Sequence, residues 1–258
     1  YPATRSDDWL AVFRLSVTLR EDIDRPLLQK ALDTTVQRIP FFAYRLKRGL
    51  FWYFMESQGG QPAVKDDVAN PCAGFRLQDN DHMMFRVRVW HGRIALELFH
   101  AVADGTGAMT FLMTLTAEYL RLKYGERIPA ASMILDTRDA PKPEEWEDSF
   151  PLYARAAARS RREEPAYPLR GTPAEKDFLL LTTGILDTQG LSEAAKRHSA
   201  TINTYLAAHL LMALLSIARE DHSPRRAKRP VKLSMPVNLR RYYPSGTLRN
   251  FSSYVNAP

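Results

Sequence analysis

The chain of 258 residues predicts an α+β fold, with strands and helices succeeding one another as distinct elements. Three observations carry that expectation. Apolar and polar residues alternate from Val12 to Leu19, the period of a half-buried strand. Apolar residues at helical spacing follow at once, after a capped start. A pair of apolar runs joined by His91-Gly92 then leads directly into a second helical pattern. With 45% hydrophobic and 25% charged residues the composition is that of a globular chain, which excludes a disordered or fibrous one.

Each element can be justified in turn. Phe13, Leu15, Val17 and Leu19 form the apolar face of the first strand, opposite Arg14, Ser16 and Thr18. Asp24 is a helix N-cap and Pro26 stands where a missing N–H costs nothing; Leu28, Leu32, Val36 and Ile39 then recur until Pro40 stops the helix. Tyr44 to Leu46 and Phe51 to Met55 read as short strands around Gly49. Met84 to Trp90 and Arg93 to Phe99 read as an antiparallel hairpin, and Thr106 to Tyr124 as a helix ended by Gly125.

Beyond Gly125 periodicity fades. Residues 128–177 hold seven prolines and one Arg/Ala-rich stretch, LYARAAARSRR, that predicts a single helix within a crossover segment. A strand from Phe178 to Ile185, a short helix from Leu191, a long helix from about Asn203, a strand from Val231 to Met235 and an extended run from Asn250 to Val255 follow. The longest apolar stretch, Tyr205 to Ala218, contains His209 and falls short of the ~20 residues of a bilayer span; it reads as a buried helix, so no membrane span is expected. The chain opens at Tyr1 without a secretory-leader pattern, and its single cysteine, Cys72, forms neither an internal disulfide nor a multi-cysteine metal site. A reducing, cytoplasmic setting is therefore expected.

The net charge of +7 suits a polyanionic partner, and a nucleotide-bearing thioester qualifies as well as nucleic acid does. The densest basic cluster, Arg225, Arg226, Lys228 and Arg229, has no interleaved aromatics on which bases would stack, so no nucleic-acid partner is expected. Glycine-rich phosphate loops and the G-x-S-x-G nucleophile turn are absent from the sequence.

The sharpest feature is LFHAVADGTG, Leu98 to Gly107, where a strand ends and a helix begins. His100 shares the parity of Ile94, Leu96 and Leu98, which turns its ring inward, and Asp104 or Thr106 can cap the helix. A general base needs its imidazole held in one orientation and partly shielded from water, and a strand terminus supplies both. The alternative is a packed core histidine beside an ordinary cap. The other histidines compete poorly: His91 lies in a turn, His82 follows an acidic loop, His198 ends a short helix, His222 sits in a polar loop and His209 reads as a core residue. None forms a close ligand cluster, so no metal is expected.

The His-x-x-x-Asp-Gly order after an apolar strand resembles the motif of the superfamily that contains chloramphenicol acetyltransferase, condensation domains, plant acyltransferases and alcohol acetyltransferases. The likeness extends along the chain. FRLSVTL with IDRPLLQKALDTTVQRIPFFAYRL resembles the superfamily's opening strand, first helix and R-x-P segment, and FFAYRLKRGLFWYF is most similar to alcohol-acetyltransferase-like members. SATINTYLAAHLLMALL and KLSMPVNLRRYYPSGTLRNFSSYVN resemble a second-lobe helix and the strand and Arg/Asn-containing loop that follow.

The resemblance implies a CoA-dependent acyltransferase-like sandwich of mixed sheet and helices in two similar lobes with a tunnel between them. A lobe over residues 1–127 would carry the motif, 128–177 would be the crossover, and 178–258 would begin a second lobe left incomplete, since no later Asp/Phe/Gly-rich motif occurs after Val255. It further implies an acyl group moving from acyl-CoA, or from acyl-phosphopantetheine on a carrier protein, to a hydroxyl or amine acceptor, with no tightly bound cofactor. His100 would be the general base, and Asp104, the other residue of the catalytic motif, would orient its loop through an ion pair with Arg240. Gly105 would leave room for the thioester arm. Condensation domains proper carry a further His immediately before the catalytic one; Phe99 stands there, which favours the CoA-using branches and leaves a carrier-dependent condensation domain and a catalytically silent binding module as the alternatives.

Overall fold

A computed structural model describes residues 11–51, 53–57, 61–73, 83–154, 163–172, 174–175 and 178–257. The chain divides into two units. One runs through Tyr153 and takes in the later segment Leu239–Phe251; the other consists of Ala154–Asn238 and Ser252–Pro258.

In the first unit, strand β1 (Val12–Thr18) is followed by helix α1 (Arg25–Arg38), the strands β2 (Tyr44–Arg48), β3 (Tyr53–Ser57), β4 (Val64–Asp66), β5 (Phe85–Trp90) and β6 (Arg93–Phe99), helix α2 (Gly105–Tyr124), and the single-turn helices α3 (Pro143–Trp146) and α4 (Phe150–Tyr153). Four strands make a mixed sheet in the order β1-β6-β5-β4, antiparallel except for the β4–β5 pair. β2 and β3 form a separate antiparallel pair. α1 starts where the Asp24 carboxylate accepts from the Leu27 N–H at 2.9 Å, and α2 ends at Gly125 with φ 72°, the left-handed position that glycine fills without strain. At the β5–β6 turn His91 has φ 47°, and a Cβ on Gly92 would lie 2.5 Å from the Leu19 carbonyl oxygen, so the hairpin tip is pressed against the end of β1.

The core lies where α1 and α2 meet the sheet. Leu28, Leu32, Phe85, Ile94, Leu96, Leu98, Phe111 and Leu115 are all buried, and the Phe42 ring stacks on Phe111 at 4.2 Å between centroids. Tyr119 is fully buried with its hydroxyl satisfied, accepting from the Asp24 N–H at 3.0 Å.

The opposite face of the sheet, which the alternation in β1 leaves polar, is not open to water. Glu97 is 0% exposed and takes contacts from Arg14 at 3.0 Å, Arg86 at 3.0 Å and Arg88 at 3.3 Å. Arg14 and Arg86 are its cross-strand partners in the ladder, so the register itself brings the charges together. Arg14 also grips Asp67 with both terminal nitrogens, at 2.8 and 2.5 Å, and Arg93 adds a contact at 2.8 Å. Burial alone would raise the Asp67 carboxyl, but the guanidinium fork and the Val68 N–H outweigh it and hold the group well below the usual carboxylate range.

A depressed carboxylate stabilises the fold fully above its unfolded pKa of about 4, and that contribution is lost as pH falls towards its folded value. Asp67→Asn should therefore flatten the fall in stability between about pH 5 and pH 2. Urea midpoints across that range that decline equally in parent and variant would contradict it.

The second unit holds α5 (Thr188–Arg197), α6 (Ile202–Arg219), the single-turn α7 (Pro224–Ala227) and an antiparallel pair, β7 (Leu233–Asn238) with β8 (Ser252–Ala257). Asp187 caps α5 and Thr201 caps α6, so both helices begin earlier than apolar spacing alone predicts. Three expectations need correction. Phe178 to Ile185 forms no strand, and Leu180, Leu181 and Ile185 are exposed. α6 is not a buried helix, since only Ala218 on it is buried, while Leu206, Leu210, Met212, Leu215 and Ile217 are exposed. By length and composition it is the one helix among the described residues that could cross a bilayer, a test that core helices of soluble proteins also pass. His209 accordingly is an exposed residue with its ring against Tyr205 at 4.5 Å, not a core one. The expected Arg/Ala-rich helix falls mostly on residues 155–162, outside the described residues, as does His82.

Candidate active site

β6 ends at Phe99, and His100 opens the turn that joins it to α2. Both faces of β6 from Ile94 onward are buried, so strand parity does not define an inside for His100; its orientation comes from local contacts. The backbone N–H of His100 donates to the Ala11 carbonyl at 2.8 Å, prolonging the β1–β6 pairing by one bond. The imidazole is half-buried, tilted against the Phe13 ring at 4.8 Å. From the other side Asn250 places its amide nitrogen 3.2 Å from the His100 carbonyl oxygen, to which it donates, and 3.4 Å from Nδ1.

Asp104 caps α2 and is the junction of the site. Its Oδ1 accepts from the N–H groups of Thr106 at 3.0 Å and Gly107 at 3.1 Å. Its Oδ2 accepts from Arg240 Nη1 at 2.6 Å and from the Phe251 N–H at 2.9 Å. The Asp104 side chain is 5% exposed, and each of its oxygens accepts two hydrogen bonds. Arg240 also donates to the same segment, from Nε to the Thr247 carbonyl at 2.9 Å and from Nη2 to the Arg249 carbonyl at 2.6 Å. One guanidinium thus shapes the loop that carries Asn250 to His100. Arg240 lies in a 3-10 turn, Leu239–Arg241, and reaches Asp104 from that turn; Arg241 is exposed.

The two glycines after Asp104 differ. A Cβ on Gly105 would meet nothing within 4 Å, whereas one on Gly107 would lie 1.8 Å from the Leu248 carbonyl oxygen and 2.8 Å from its carbon. Gly107, which spacing alone did not single out, lets the Arg240–Phe251 loop lie directly on the first turn of α2. Gly107→Ala should therefore cost at least the ~1–3 kcal/mol typical of overpacking, with Gly105→Ala close to neutral. Equal urea midpoints for the two variants would refute this.

A cavity of about 640 Å³ opens beside the turn, with Ala101, the neighbour of His100, in its wall. Phe41, Tyr44, Tyr53, Phe54 and Trp146 supply rings, and Asp148 and Arg249 supply the charges. Sequence reasoning missed it because its wall is drawn from five separate segments. Asn250 stands out in the sequence only as the first residue of an extended run. Among the described residues no three His, Cys, Asp or Glu side chains converge as metal ligands would.

The arrangement of strands and helices is that of condensation domains. The chain is similar to polyketide synthase associated protein 5 from Mycobacterium tuberculosis, with a TM-score of 0.61 and 19% identity over 95% of this chain and 63% of that one. It is similar to the first condensation domain of the calcium-dependent antibiotic synthetase, with a TM-score of 0.52 and 16% identity over 96% and 63% of the two chains. It is likewise similar to VibH, a condensation enzyme of nonribosomal peptide synthesis, with a TM-score of 0.51 and 19% identity over 96% and 62%. The chain spans less than two thirds of the length of each. No family model matches it, and no curated protein matches its sequence.

Proposed function

We propose that the protein is an acyltransferase that moves an acyl group from a thioester to an alcohol or amine, with His100 as general base and acyl-CoA as the co-substrate. The observation that carries this reading is the placement of His100: half-buried, held between Phe13 and Asn250, and adjacent through Ala101 to a cavity that can receive an organic substrate. The unprotonated ring nitrogen would take the acceptor's proton as its oxygen or nitrogen forms a bond to the thioester carbonyl carbon. Collapse of the tetrahedral intermediate breaks the carbon–sulfur bond, and the imidazolium returns the proton to the departing thiolate. Asp104 and Arg240 do not touch the reacting atoms; they fix the loop that braces the base.

A second reading, a carrier-protein-dependent condensation domain, is favoured by the condensation-domain neighbours, while Phe99 in place of a preceding His supports the CoA branch. Thiol release by the natural protein, measured with acetyl-CoA and short alcohols and in parallel with an acetylated carrier protein, separates the two. Faster release from CoA, with an apparent donor KM raised by Gly105→Trp, is the expected result. Release only from the carrier supports the second reading, and release from neither with retained ligand binding supports a silent module.

A further inference from the structure

The cavity beside His100 has a composition that selects among ligands. Its rings and the aliphatic Leu46, Met55 and Ala101 make a wall suited to an apolar body, and its volume is within the ~300–1,000 Å³ of small-molecule sites. Two charges interrupt that wall and do not pair with each other. Asp148 is exposed and spends Oδ1 on the Phe150 N–H at 3.1 Å, at the start of α4. Arg249 is half-buried, and both of its backbone groups are engaged: the N–H donates to Thr247 Oγ1 at 3.2 Å and the carbonyl accepts from Arg240. What Arg249 has left to offer the cavity is its guanidinium, which has no hydrogen-bond or ion-pair partner among the described residues.

We propose that this cavity is a binding site for an amphipathic monocarboxylate, its aryl or alkyl body among the rings and its carboxylate on Arg249. A planar carboxylate matches the guanidinium fork, with two parallel N–H···O bonds. Asp148 in the same wall offsets the charge of Arg249 and so opposes a phosphate dianion more strongly than a monoanion, which keeps its local pairing with the guanidinium. On the acyl-transfer reading, and resting on it for this step alone, the ligand is the acyl acceptor: a hydroxy or amino acid whose acceptor atom lies towards His100 and whose carboxylate is held away from it.

Calorimetry with 4-phenylbutanoate, 4-phenylbutanol and 4-phenylbutylamine tests the assignment without requiring turnover. The acid should bind the protein about tenfold more tightly than the alcohol, in keeping with a charge-assisted pair at a half-buried site. Arg249→Gln should bring the acid down to the level of the alcohol and leave the alcohol unchanged, because it alters neither the rings nor the His100 turn. Leu46→Trp, which fills the cavity, should weaken both. Equal affinity for acid and alcohol, tightest binding of the amine, or acid selectivity that survives in Arg249→Gln overturns the proposal. If selectivity depends on Arg249 while no hydroxy or amino acid is acylated, the binding assignment stands and the acyl-transfer reading falls.

Discussion

His100→Ala should lower acyl transfer by ~10²–10⁴-fold, the usual contribution of a positioned general base, and leave the fold of the first unit intact. The reason for the asymmetry lies in what the ring touches. Its backbone bond to Ala11 survives the substitution and the Asn250 amide keeps the His100 carbonyl, while the ring's contacts with Phe13 and with the Asn250 amide are among those lost. Stability should therefore change little while kcat collapses. Both readouts are needed, since a fall in activity with a matching fall in the urea midpoint would indicate misfolding. A variant that keeps near-parent turnover removes His100 from the mechanism and with it the central step of the proposal.

The parts of this architecture that were legible in the sequence are those written in short-range signals. β1, α1, the β5–β6 hairpin and α2 each carry their own evidence: alternation, a capping Asp, a two-residue turn, a terminal Gly. What was not legible depends on partners distant in the chain. The apolar run that opens Phe178–Ile185 resembles a strand, but a strand exists only where another supplies its ladder, and no strand is formed there. The apolar run of α6 indicates a helix without saying what, if anything, covers it. The polar face of β1 looks solvated because arginines usually are; only the register that places Arg14 and Arg86 opposite Glu97 reveals a buried ion network. The site divides in the same way. His100, Asp104 and Gly105 are neighbours in one motif and the resemblance supplied Arg240, which does pair with Asp104, whereas Asn250 and the cavity rings come from elsewhere in the chain.

Removing either partner of the Asp104–Arg240 pair should be among the costliest substitutions in the protein, at ~3–5 kcal/mol, because the other charge is left buried and uncompensated. The side chains are 12% and 5% exposed for Arg240 and Asp104, and the contact of 2.6 Å joins residues 136 positions apart. Asp104→Asn is the better probe on the acidic side, since it retains an oxygen for the Thr106 and Gly107 N–H groups and so separates the ion pair from the helix cap. Arg240→Gln should cost more than Asp104→Asn, because it also abandons the carbonyls of Thr247 and Arg249, to which Asp104 contributes nothing. The double variant should then be more stable than the sum of the single losses predicts by ~1–3 kcal/mol, yet remain below the parent by what those two carbonyl bonds and the Phe251 N–H bond to Asp104 contribute. The loop that carries Asn250 depends on the same guanidinium, so Arg240→Gln should depress kcat even at temperatures where the variant is fully folded. Strict additivity of the stability losses, or Arg240→Gln protein that is folded and fully active, would show that the pair neither stabilises the loop nor positions the base.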